Sequence, residues 1–528
     1  MKLFLYLIGG TGSRVLKPLV MQLAAGVTPA QGFKPGDELQ IVPIVIDPHQ
    51  TNADLVRTQT LLSWYKEIRK ELYGNDTGIR DGFFGVKITS LAELDGKGAK
   101  DDFVFNLSGI SDKYFSEYID YNHMDSSNQA LCQALFSSDQ LGTKMDIGFV
   151  GSPNIGSVAL NSFTESQEFE RFTNVFSKDD RIFIVSSIFG GTGAAGYPLI
   201  VKNIRNARQT DASTRGDLVD ARIGALTVMP YFNVKSKDKD GYDSRIQYSD
   251  FIAKTKSALR YYKKNLTGNG SDRNAGNTVN ACYYLADSIK SQPYDNDDGT
   301  YGQKNLAHFV EFVGALSIFD FLGLSDEALH TEDGRADKPI YREFGLKRGL
   351  NDGKTTIDLT DMGDKTRHLI QDKMYAFHLD YMYYTFQLQN DLDKKQRYTD
   401  DMPKMPKDML KSPFFNDKLN NFFRDYIEWL GEMYANQPRC FFPFMVNNGI
   451  DYPYSPATNQ LNNCINGIGH QKKTFGEKSL DFSDTLSQFN ELSKRYSGSY
   501  TENQQAKKLM DLFYEGFKNQ LLHKFFVY

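Results

Sequence analysis

Two hydrophobic rhythms divide the chain. Short, almost continuous apolar runs recur through its first part: Leu3–Ile8, Gln40–Ile46, Arg181–Ile188, Ile223–Met229 and Ala281–Ala286. Each has the length of a strand and lacks strict polar alternation, so each is predicted to be buried on both faces of a sheet. A further short apolar run lies at Ile147–Val150. Between the runs lie stretches with helical spacing: Val15–Ala25, Ala53–Leu72, Ser157–Phe176, Tyr197–Ala207 and Asp250–Asn265. Strands alternating with helices predict an α/β, doubly wound, mainly parallel sheet.

The rhythm changes after about Asn305. Asn305–Leu324 reads as one long apolar helix, Ser325–Asp352 as polar and irregular with a turn at Asp352-Gly353, and Lys365–Gln396 as a long helix. The last carries Tyr381, Tyr383, Tyr384 and Phe386, expected to be core rather than a ligand box. Met402–Pro413, with three prolines, is a connector, and Lys418–Asn436 and Asp481–Phe526 are helical. The expected division is an α/β domain over 1–304, a central helix over 305–324 and a mostly helical C-terminal domain over 325–528.

Composition narrows the function classes. With 40% hydrophobic and 24% charged residues, the chain of 528 residues is globular rather than disordered. Its 61 basic and 66 acidic residues leave a net charge of −5, so no direct nucleic-acid binding is expected. The four cysteines form no CxxC pair and no HExxH occurs, so no protein-built metal site is expected. No apolar run reaches the roughly 20 residues of a membrane span. A cytoplasmic protein is expected.

The candidate chemistry lies in three glycine clusters, each between a predicted strand and a predicted helix, where open α/β sheets bind ligands. The first is Gly9-Gly10-Thr11-Gly12-Ser13. The second runs from Gly148 through Gly151 and Asn154 to Gly156; its plain reading is a Ser-Pro turn with Asn154 as a helix cap. The third is Gly190-Gly191-Thr192-Gly193-Ala194-Ala195-Gly196. Excluding side chains lets phosphate oxygens approach backbone N–H groups at a helix start. No lysine follows in Walker position. The isolated Gly353-Lys354-Thr355 has Arg348 where that motif needs glycine, and reads as a turn. A Rossmann fingerprint is incomplete, with Val15 at its third glycine and Asp47 late for a ribose carboxylate.

As a set, the clusters resemble the tubulin/FtsZ superfamily of GTPases, in the manner of its divergent prokaryotic members. Phe189–Gly196 (FGGTGAAG) is similar to that family's GGGTGTG signature. Gly148–Ala159 resembles the third phosphate loop of FtsZ, and Ala225–Asn233 the family's strand end before a proline. The resemblance covers about residues 1–320. It implies GTP or GDP with Mg²⁺, and self-association or docking of protein partners. Gly9, Gly10, Thr11, Gly12 and Ser13 would surround the α and β phosphates. Gly151, Asn154 and Gly156 would lie near the γ-phosphate, with Gly190, Gly191, Thr192, Gly193 and Ala194 beneath. Asp47 would sit near Mg²⁺-bound water, or else is a turn carboxylate. Asp243 matches an acidic ribose contact, or else is a solvated loop charge. At the base, Asn305 would bond, His308 stack and Glu311 accept from guanine. Alternatively, Asn305 caps the helix and Glu311 is exposed.

The family's hydrolytic acidic loop has its nearest match at Asp358 and Asp361, in Thr356–Asp361. Carboxylates at that spacing would orient an attacking water. The plain reading is a helix entry capped by Asp361. Two other function classes stay open: a nicotinamide-dependent oxidoreductase with a variant Rossmann turn, and a nucleotide-free scaffold.

Overall fold

The computed structural model describes residues 1–29, 31–49, 52–96, 103–105, 109–110, 112–149, 151–206, 216–232, 248–266, 277–287, 305–344, 356–357, 359, 362–435, 439–440 and 482–524. Strand β1 (Lys2–Ile8) leads directly into helix α1 (Gly9–Ala24). β2 (Gln40–Ile46), α2 (Ala53–Tyr73) and a short β3 (Lys87–Ile88) follow. After a segment of short helical turns come α3 (Pro153–Ala159), β4 (Arg181–Ser187) and α4 (Gly191–Arg205). β5 (Arg222–Val228), α5 (Tyr248–Asn265), β6 (Ala281–Leu285), α6 (Phe309–Leu322) and β7 (Ile340–Phe344) complete the α/β part.

These strands form one seven-stranded sheet in the order β3-β2-β1-β4-β5-β6-β7, with every neighbouring pair parallel. The chain order reverses between β1 and β4, the crevice where sheets of this class hold their ligands. Strands β1, β2, β4 and β5 are buried almost throughout because their apolar runs face helices on both sides.

Several expectations need correction. The predicted irregular stretch after the central helix contains β7. It was illegible because Tyr341, Arg342 and Glu343 face solvent at the sheet edge and break the apolar run. The run Ile147–Val150 is not a strand: Met145–Ile147 is a 3₁₀ turn that leads into Gly148 at positive φ. The C-terminal helical run is two helices, α9 (Phe482–Arg495) and α10 (Gln505–Lys524), parted by a turn around Gly498.

The central helix starts at Phe309, since His308 caps it and exchanges bonds with Glu311. It is apolar all round and accordingly buried all round. Phe321 packs on Phe183 of the sheet at 5.3 Å, and Phe312 faces Trp429 at 6.2 Å. Trp429 belongs to α8 (Asn420–Ala435), which with α7 (Asp364–Phe386), α9 and α10 builds the C-terminal region. The aromatic stripe of α7 is core, as expected: Tyr383 lies 5.1 Å from Phe489 and 5.4 Å from Phe513. Phe386, at the helix end, is instead exposed. Gly363 holds the N-cap position of helix α7, without a side-chain cap.

Candidate functional site

Parallel register puts the ends of the strands side by side. Ile8 pairs with both Ile46 and Ser186, so Gly9, Asp47 and the turn after β4 share the carboxyl edge of the sheet. The glycines predicted as loops lie largely within the first turns of α1 and α4. Close packing overrides their poor helix propensity. A Cβ on Gly12 would come within 2.7 Å of the Leu7 carbonyl carbon, and one on Gly193 within 2.7 Å of the Ser187 oxygen. Both helices therefore start flush against the strands.

The three clusters converge. A Cβ on Gly9, which sits at φ +70°, would lie 3.3 Å from Thr192 Cβ and 3.5 Å from Gly193 N. One on Gly191 would lie 3.0 Å from Ser152 N and 3.2 Å from Gly151 N. Gly156 packs against Ala195 and Gly191 by the same absence of a side chain. Gly10 differs from all of these. It is exposed, and a Cβ there meets nothing within 4 Å.

The helix starts here lack side-chain caps. Ile8, Ser152 and Gly190 precede α1, α3 and α4, and none caps its helix with a side chain. Away from the crevice, Asn52 caps α2 and His308 caps α6. Ser152, not Asn154, holds the cap position of α3, because Pro153 occupies its first turn. Asn154 instead exchanges two bonds of 3.2 Å with Gln140. The buried Ser13 hydroxyl donates to the Gly10 carbonyl at 2.9 Å, and Thr192 is nearly buried beside Gly9.

One cation arrives that no motif indicated. Lys254, on α5, holds its Nζ 3.1 Å from where a Gly151 Cβ would stand. Its helix is pinned to the start of α4: the Tyr262 hydroxyl donates to the Ala194 carbonyl at 3.1 Å, and the Tyr262 and Tyr197 rings meet at 5.1 Å. In sequence Lys254 is one of several lysines on an amphipathic helix, so nothing singles it out. Asp47 is buried and accepts from the His49 N–H at 3.0 Å; burial pushes its pKa up to about 6.

The residues assigned to the base lie at the entry to α6, where Glu311 meets Arg14 of α1. Glu311 is 2% exposed rather than an exposed helix residue. Its Oε1 accepts from Arg14 Nε at 2.6 Å, Arg14 Nη2 at 2.5 Å and the Tyr231 hydroxyl at 2.9 Å. Its Oε2 accepts from the His308 N–H at 3.0 Å. Burial weighs against the Arg14 charge, yet Glu311, Tyr231 and Asp54 hold its pKa above the usual value. Asn305 is not a helix cap. Its side-chain amide donates to Asp54 at 2.9 Å, and its carbonyl accepts from Arg57 at 3.1 Å. Arg57 also pairs with Glu432 of α8, which accepts from the Ala307 N–H at 3.0 Å. Asp358, Asp361 and Asp243 lie outside the described residues.

No known family profile matches the chain, and no curated protein does. A solved structure of CetZ from Methanosaeta thermophila strain DSM 6194 is similar at TM-score 0.27 and 11% identity, over 61% of this chain and 54% of that one. The match thus spans just over half of that protein. Among the described residues no helix is long and apolar enough to cross a membrane, and no three His, Cys, Asp or Glu side chains gather to hold a metal ion.

Proposed function

We propose that the chain is a nucleotide-binding protein of tubulin/FtsZ type that holds a nucleoside triphosphate by its phosphates at the β1/β4 crevice. The observation that carries this is the convergence of three helix starts with no side-chain caps, at a place where close packing keeps side chains out. Uncapped N–H groups and helix dipoles favour an anion. GTP is the nucleotide the family resemblance implies. Mg²⁺ would come with the phosphates, with Asp47 the buried carboxylate at the same sheet edge, and would screen their charge. Nucleotide occupancy would govern self-association, with hydrolysis slow outside the assembly.

The strand order also suits a dinucleotide, so NADH is the competitor to test. Titration of the purified chain with a fluorescent GTP analogue, displaced by GTP or by NADH, separates the two. Gly10→Glu is the clean probe, because Gly10 faces open space while Gly191 and Gly193 pack on backbone. A carboxylate there would repel phosphates, lowering affinity by about tenfold or more with little change in melting temperature. Unchanged GTP affinity in Gly10→Glu, or displacement by NADH alone, would sink the proposal.

A further inference from the structure

The charges that tie α1 and α2 to α8 mostly satisfy one another, yet they border a cleft where some bonds are left unmade. The cleft encloses about 250 Å³ between Lys17 of α1, Arg57 of α2 and the Arg424–Glu428 turn of α8. Lys17 carries three N–H donors. Among the described residues it meets a single acceptor, Glu432, at 3.5 Å, and its side chain is only 10% exposed. Arg57 gives its terminal nitrogens to Glu432, Asp54 and the Asn305 carbonyl, while its buried Nε has no acceptor among the described residues. Asp425 meets Arg424 at 3.5 Å, and the Arg424 side chain is largely exposed at the mouth. Burial pushes the Lys17 ammonium down and the Asp425 carboxyl up, as expected of charges short of close partners. Buried polar groups in this condition cost free energy until a partner completes their bonds.

The two signs of charge decide what that partner is. A phosphate or other dianion would face Asp425 and Glu428, and a simple cation would face Lys17, Arg57 and Arg424. A molecule with one carboxylate and one ammonium meets both sets. Val56, 46% exposed, and the buried Leu61 also line the cleft and suit a short aliphatic body. The volume falls below the roughly 300–1,000 Å³ of pockets for drug-sized ligands, which limits the occupant to a small metabolite. We infer that this cleft binds a small aliphatic zwitterion of amino-acid size, with its carboxylate on Lys17 and Arg57 and its ammonium on Asp425. The inference does not rest on the phosphate site proposed above.

Calorimetric titration of the full chain with L-leucine tests it. Isocaproate, which lacks the amine, and isoamylamine, which lacks the carboxylate, are the controls. L-leucine should bind with a dissociation constant of about 1 mM or tighter, as so few atoms allow. Each control should bind at least about tenfold more weakly, since each loses a charge-assisted bond. Asp425→Asn should weaken leucine binding about tenfold and leave isocaproate binding unchanged. Lys17→Met should weaken leucine and isocaproate and leave isoamylamine unchanged. No binding of leucine, valine or alanine at about 10 mM overturns the inference. So does isocaproate binding as tightly as leucine, which would make the cleft a plain carboxylate site, and so does an equal loss for all three ligands in Asp425→Asn. The wild-type comparison needs no variant, so a poorly folding Lys17→Met does not remove the test.

Discussion

Helix α1 meets two opposite kinds of environment within two turns. At its start, Gly9 meets Thr192 and Gly193 of α4, Gly12 packs on the backbone of β1 and β4, and Gly10 faces open space. At its next turns, Arg14 and Lys17 enter a cluster of charges with Asp54, Arg57, Glu311 and Glu432. The first end has helix starts without side-chain caps, the feature on which the proposed phosphate site rests. The second spends its polar groups on the protein itself, tying α1, α2 and the entry to α6 to helix α8 of the C-terminal region. On the proposed reading, recognition by backbone and stabilisation by side chains are separated along a single helix.

The sharpest way to break that contrast is to remove Glu432. It faces Arg57 and Lys17 and accepts from the Ala307 N–H at 3.0 Å, with its side chain only 6% exposed. Glu432→Ala removes the acceptor of Lys17 and of the Ala307 N–H and one of the acceptors of Arg57, which keeps Asp54 and the Asn305 carbonyl. Removing one partner of a buried pair costs about 3 kcal/mol, somewhat less here because Arg57 is 21% exposed. The expected result is a lower urea midpoint with nucleotide affinity for the surviving folded fraction nearly unchanged. A large loss of affinity at unchanged stability would show that the two ends are not separate.

A smaller effect is expected from Lys254, whose ammonium reaches toward the bare end. Its ammonium stands by Gly151, on a helix fixed through Tyr262. Lys254→Met should weaken triphosphate binding about tenfold and diphosphate binding less, and should flatten the salt dependence of binding. Lys254→Arg should restore part of it. Equal loss for both nucleotides would place the lysine away from the terminal phosphate.

The same division governs what could be read from the sequence. Strands β1, β2, β4, β5 and β6 were legible because burial on both faces demands unbroken apolar runs. The glycine turns were legible because missing side chains leave a local mark on composition. The charged cluster left none: Arg14 finds Glu311 across 297 residues and Lys17 finds Glu432 across 415. Each of these looks like an ordinary surface charge until the chain folds. Helix ends were misplaced for a related reason, since Gly9–Ser13 and Gly191–Ala195 are helical only because backbone packs where side chains would not fit. Lys254 was invisible because its role depends on the packing of α5 against α4.

The mildest probe is pH, through Asp47. Its folded pKa of about 6 lies above the ordinary carboxylate value because it is buried. The folded state therefore keeps a proton that the unfolded chain has already lost between about pH 4 and 6, and this group's contribution to stability falls as pH rises through that window. A divalent cation works in the opposite sense, since it favours the ionised form. If Asp47 assists Mg²⁺ at the shared sheet edge, the gain in triphosphate affinity on adding Mg²⁺ should be small at pH 5.5. It should grow a few-fold up to pH 7.5, following the ionised fraction of a group with that pKa. Asp47→Asn should flatten the profile and keep the acceptor for the His49 N–H. The same Mg²⁺ profile in both proteins would make Asp47 a turn residue only, and would remove it from the proposed site.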